Sequence, residues 1–139
     1  MRGQAGGGDA GAAYGGDGVT MTLDEIEQLT LKQMAEFKAP QSTPAGCVGT
    51  LWTAEKYAAE IDAMRICLLP PHWQNISVYD YPKLFTLLER RQFAVVARDG
   101  DYTLLFDPQQ QAFALGYGPD GNIATDAYPS CAVTTFASR

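Results

Sequence analysis

Apolar residues fall into a helical rhythm just after residue 21. Leu23, Ile26, Leu29, Met34 and Phe37 recur near the helical period while Glu27, Lys32 and Glu36 lie between them, which predicts a surface helix with one buried stripe. Thr22 and Glu25 have the spacing of a capping box, Asp24 and Glu25 sit where the helix dipole favours anions, and Pro40 stops the run. The following stretch holds Pro40, Pro44, Gly46 and Gly49 and reads as a loop. A second helix is expected from Thr53 to about Cys67, with Tyr57, Ile61, Met64 and Leu68 on one stripe and Pro70 and Pro71 behind it. Ile76 to Tyr79 is a short β-prone piece suited to an edge strand. Asp80 and Pro82 then suit the start of a third, short helix that turns Leu84, Leu87 and Leu88 inward and ends on Arg90 and Arg91.

Beyond Arg91 the period changes to two. Residues 92–98, 101–107 and 111–117 are rich in Phe, Val, Leu and Tyr, and Asp99-Gly100, Asp107-Pro108 and the run 119–122 separate them as turn signals. Asp99-Gly100 is the strongest hairpin signal, because a two-residue hairpin turn wants positive φ at both central positions and glycine supplies it without strain. Weaker strands are expected over 123–127 and 131–136. The pattern predicts an α+β domain: N-terminal helices packed on one face of a curved four- or five-stranded antiparallel meander. Phe93, Val95 and Ala97 on one strand, and Tyr102, Leu104 and Phe106 on the next, are the expected core-facing sets. This order resembles that of the cystatin-like and nuclear-transport-factor-like rolls in architecture alone; no sequence motif carries the likeness, and it assigns no family.

Composition sets the domain limits. Residues 3–18 are mostly Gly, Ala and Asp and cannot offset the ordering entropy of their backbone, so 1–20 is expected to be a flexible glycine-rich leader and 21–139 a single domain. Gly6, Gly7, Gly8 and Gly11 follow no strand and precede no Lys-Ser/Thr, so neither a phosphate-binding loop nor a dinucleotide fingerprint is present, and no cofactor is implied. Ten basic against sixteen acidic residues give a net charge of −6, which opposes nucleic-acid binding. The apolar runs are far shorter than the roughly 20 residues of a membrane crossing. The absence of a signal-peptide pattern and an odd count of three cysteines suggest a cytoplasmic protein.

Candidate chemistry is sparse. A single histidine, His72, excludes sites built on two or three imidazoles, and no metal centre is expected. A thiol nucleophile drawn from Cys67 or Cys131, with His72 and an Asp80 or Asp126 carboxylate, lacks any surrounding motif, and turn aspartates such as Asp99 and Asp101 mostly bond their own backbone. Lys83, Arg90, Arg91 and Arg98 form a basic cluster, read as helix capping or as an anchor for a ligand carboxylate or phosphate. Aromatic residues are the most informative group. Trp73, Tyr79, Tyr81, Tyr102 and Tyr117, with Arg91 and His72, are the candidates for a ligand or partner site, because clustered rings with polar tips suit a pocket between helices and sheet. Between Pro108 and Ser138 the only charged residues are Asp120 and Asp126, so the C-terminal strands are expected to be covered by helices or by a second copy in a homodimer. The expected function is binding, to itself, to a basic protein partner or to a small amphipathic ligand; the alternative is a small enzyme or ligand-binding roll using the aromatic pocket with Asp and His as acid and base.

Overall fold

The computed structural model describes residues 21–39, 53–80 and 86–139. Two helices come first. Helix α1 (Leu23–Glu36) starts as its sequence dictates: Glu25 N donates to Thr22 Oγ1 at 3.1 Å and Thr22 N donates to Glu25 Oε1 at 2.8 Å, closing the capping box. Helix α2 (Ala54–Cys67) is capped by Thr53, whose Oγ1 accepts from Lys56 N at 3.2 Å. Of its predicted stripe only Met64 is fully buried, while Tyr57, Ile61 and Leu68 pack at the margin of the core.

Five strands then close on themselves: β1 (Leu68–Asp80), β2 (Thr86–Asp99), β3 (Tyr102–Asp107), β4 (Ala112–Tyr117) and β5 (Ala124–Thr125). The α+β class holds, but the sheet is a closed barrel and not an open meander. Successive strands pair antiparallel, and the two residues of β5 complete the ring by pairing antiparallel with β4 and parallel with β1, where Ser77 faces Ala124 and Val78 faces Thr125. On the outer edge of β4, Gly116 and Tyr117 pair with β5 and Phe113 bridges to Ser130, so the chain itself covers part of the uncharged C-terminal stretch.

The prolines do not keep β1 short. Leu68 pairs with Ala97 and His72 with Val95, so β1 spends four steps where β2 spends two, and Pro70 and Pro71 lie in that bulge, where no ladder N–H is required of them. The third helix expected from Asp80 is not formed over its described part: Thr86 to Arg91 pair with β1, leaving Leu87 and Leu88 exposed instead of inward. Its first turn, 81–85, lies outside the described residues, as do the leader and the loop after Pro40. The hairpin signal holds with a shift of one residue. Asp99 pairs with Tyr102, and of the central pair Gly100-Asp101 only Gly100 has positive φ, +61°, the pattern of a type II′ turn.

Alternation along the strands makes two cores. Ile76, Val78, Phe93, Val95, Leu105 and Ile123 fill the barrel interior. Ala94, Val96, Ala97, Leu104, Phe106 and Phe113 face outward beneath Ile26, Met34, Met64, Ala132, Val133 and Phe136 of the helices. A bulge at Val96, which sits between the Val95–Leu105 and Ala97–Leu104 pairs, puts Val96 and Ala97 on the same outer side. Ala97 thus leaves the face expected for it beside Phe93 and Val95. The barrel is tight enough that a Cβ on Gly116 would stand 2.7 Å from Ile123 Cγ2 and 2.8 Å from Leu105 Cδ1.

Residues 131–136, expected as a strand, instead begin helix α3 (Ala132–Ala137). Cys131 Sγ accepts from Thr134 N at 3.5 Å, and Gln33 of α1 reaches across to accept from Ala132 N at 2.7 Å. Tertiary capping of this kind offsets the weak helix propensity of a run with one valine and two threonines.

Candidate functional site

Helix α3 does not lie flat on the whole outer face. Between it and strands β1, β4 and β5 runs a cavity of about 600 Å³, lined by Tyr79 of β1, Leu115 and Tyr117 of β4, residues of the 124–130 segment, Thr134 and Thr135 of α3, and Ser138 just after it. Pairing explains why these residues converge. Tyr117 sits opposite Ala124, and Ser77, two residues before Tyr79, sits on the other side of Ala124, so ring closure by β5 brings β1 and β4 to either side of one small residue. A larger side chain at 124 would occupy the space between the two tyrosines.

The wall is mostly apolar, with hydroxyls spread over it: the tyrosines Tyr79, Tyr117 and Tyr128, then Thr125, Ser130, Thr134, Thr135 and Ser138. Several of these hydroxyls are already engaged. Thr125 Oγ1 donates to Leu115 O at 2.8 Å and accepts from Ala127 N at 3.0 Å, and Ser138 Oγ donates to Thr135 O at 2.6 Å. Thr135 differs from them. It is 4% exposed, and its Oγ1 has no hydrogen-bond partner among the described residues. Leaving a hydroxyl unmet in this way costs about 1–3 kcal/mol. Tyr117 and Tyr128 are 59% and 74% exposed, far more than rings held for packing alone. Tyr117 is steadied by Tyr102, whose ring lies 5.4 Å away at 61°.

The candidates read from sequence divide into those at the cavity and those elsewhere. Tyr79 and Tyr117 line it, and Tyr102 supports it from the side. Tyr81 lies outside the described residues. Trp73 is partly buried against the helix-covered core, opposite Ala94. His72 is at the edge of the barrel's interior face beside Gln74: its Nδ1 lies 3.2 Å from Pro70 O and its Nε2 3.1 Å from Gln74 Nε2, which also donates to Asp120 Oδ1 at 2.8 Å. Neither ring nitrogen bonds a described cysteine. Cys131 is spent on the α3 cap, and at Cys67 burial, with a contribution from Asp99, outweighs Arg139 and pushes the thiol up, away from a nucleophilic thiolate.

Arg91 is an internal structural group. Its guanidinium holds Asp107 bidentately, at 2.5 Å to Oδ1 and 2.8 Å to Oδ2, with side-chain exposures of 9% and 1%. Burial works against ionisation of Asp107, but the hydrogen bonds from Arg91 and Gln110, the Arg91 charge and the Gln109 N–H prevail and hold its carboxyl below the usual range. The basic cluster does not converge on one anion. Arg98 is seven residues along the strand from Arg91, roughly 20 Å at the usual rise, and is bound to Thr103 Oγ1 and Gly118 O, while Arg90 donates to Ser77 Oγ; Lys83 is outside the described residues. Among the described residues no group of three His, Cys, Asp or Glu side chains is placed to hold a metal ion, and no helix is long and apolar enough to cross a membrane.

Sequence reasoning passed over Thr134, Thr135, Ser138 and Tyr128 as site residues. The signal was present in the uncharged stretch after Pro108, but with 131–136 read as a strand those hydroxyls pointed to no common cavity. Compared with family models, with curated proteins and with solved structures, the chain matches none.

Proposed function

We propose that this protein is a small-molecule binding module whose site is the cavity between α3 and the β1–β5–β4 face, and whose ligand is amphipathic. The observation that carries the reading is the cavity itself: about 600 Å³, within the range of roughly 300–1,000 Å³ usual for ligand pockets, with three tyrosines and several serine and threonine side chains on its wall. A mostly apolar wall with a few fixed polar groups favours a ligand of the same make-up, its apolar body against Leu115, Ala124 and the rings and its polar group towards the hydroxyls. A binding role is favoured over a catalytic one by the composition of the described wall. Asp126 is its one carboxylate, and His72, Asp80 and Asp101, the other acid and base candidates, are not among the described residues that line the cavity.

Titration with the neutral, environment-sensitive dye Nile red tests this. Saturable binding to one site is expected for the wild type and should be lost in Thr134→Trp, which puts an indole into the cavity from an exposed position of α3. Unchanged dye binding in that variant would remove the cavity from consideration.

A further inference from the structure

We infer that the cavity selects a cation, namely an amphipathic ligand carrying an ammonium group beside an apolar or aromatic body; this rests on the binding role proposed above. Four observations lead there. Asp126 is the one charged side chain among the described residues of the wall, and it is exposed. Its Oδ1 accepts from Tyr128 N at 3.1 Å, which fixes the carboxylate beside that tyrosine, while the second oxygen has no partner among the described residues. Tyr79, Tyr117 and Tyr128 line the same space, and phenol rings attract cations through the negative potential of their faces. Finally, no arginine or lysine is among the described residues of the wall: Arg91 and Arg139 are paired with carboxylates, while Arg90, on Ser77 Oγ, and Arg98, on Thr103 Oγ1 and Gly118 O, lie off it.

An anionic ligand would therefore approach Asp126 without a positive partner on the described wall, and would do so against a net charge of −6. A neutral ligand would fill the cavity but leave the Asp126 carboxylate unused. An ammonium group satisfies both the carboxylate and the rings, and its hydrocarbon substituents match the apolar surface between them. Quaternary and tertiary ammonium ions share this chemistry, and the site makes no demand that separates them.

Three aromatic probes of nearly the same shape isolate the charge: phenyltrimethylammonium, its neutral isostere tert-butylbenzene, and anionic benzenesulfonate. Dissociation constants are read by ligand-observed NMR at low ionic strength. Phenyltrimethylammonium is expected to bind about tenfold more tightly than tert-butylbenzene, the factor expected from about 1.4 kcal/mol of charge–ring and charge–carboxylate attraction, with benzenesulfonate weakest. Asp126→Asn should reduce the cation's affinity several-fold and leave tert-butylbenzene unchanged. Tyr128→Phe, which keeps the ring, should retain the preference, and Tyr128→Leu should weaken it. Equal binding of the cation and its neutral isostere, or tightest binding by benzenesulfonate, would overturn cation selection while leaving the cavity a binding site. Failure of all three probes together with Nile red would overturn both.

Discussion

Tyr102 and Tyr117 stand opposite each other on neighbouring strands with their ring centroids 5.4 Å apart and their planes at 61°, and only Tyr117 reaches the cavity. Tyr102 is thus a positioning residue. It holds the β4 tyrosine against the wall through an edge-to-face contact of the kind worth about 0.5–1.5 kcal/mol.

Removing that contact should be felt at the site. Tyr102→Ala is expected to weaken Nile red binding by about threefold to tenfold, corresponding to most of that contact energy, whereas Tyr102→Phe should bind as the wild type does. A general loss of stability would not distinguish the two variants in this way, so melting temperature and dye affinity are measured together.

Acid stability should depend on Asp107. Its folded carboxyl lies below its unfolded value, so the unfolded chain takes up the extra proton in acid. The contribution is complete above the unfolded value near 3.9 and is lost as the pH falls further, through the folded value. Asp107→Asn should flatten that acid limb in urea titrations at stepped pH. It should also cost about 3 kcal/mol at neutral pH, since Arg91 would keep its burial and lose its buried charge partner, with only the more exposed Glu89 left to it.

Barrel closure predicts intolerance at one glycine. Gly116→Ala should destabilise by about 1–3 kcal/mol, because the added methyl must displace Ile123 and Leu105 inside a filled barrel. Denaturant unfolding checks it, and a neutral outcome would mean that the interior is looser than these distances require.

Leu88 and Phe93, both on β2, supply a contrast. Leu88→Ala should change stability by less than about 0.5 kcal/mol, as befits a side chain 61% exposed, while Phe93→Ala in the barrel should cost about 3–5 kcal/mol. Equal effects would argue for the helical reading of 86–91.

Much of this fold is legible in local sequence, and the failures share a cause. Thr22 with Glu25, and Thr53, announce α1 and α2 because capping is settled within four residues. Strands β3 and β4 announce themselves by period and turn. The segment from Asp80 to Arg91 carries helix spacing and a helix start signal, yet Thr86 to Arg91 are strand because pairing with Ile76 to Asp80 outweighs local preference. Residues 131–136 are the converse, a β-branched run made helical by a cap from Gln33, ninety-nine residues earlier. The cavity depends on both long-range outcomes. Tyr79 and Tyr117 could be named as ring-bearing candidates, but Thr135 and Tyr128 join them only once β5 closes the barrel and α3 stands beside it.

The central claim is that the cavity between α3 and the β1–β5–β4 face is where this protein meets its ligand. Two-dimensional 1H–15N NMR during titration with phenyltrimethylammonium tests it residue by residue. The account predicts shifts confined to Tyr79, Leu115, Tyr117, residues 124–130 and residues 134–138, with His72, Gln74 and Asp120 silent. Shifts centred on the His72–Gln74–Asp120 group, or spread evenly over the surface, would contradict it.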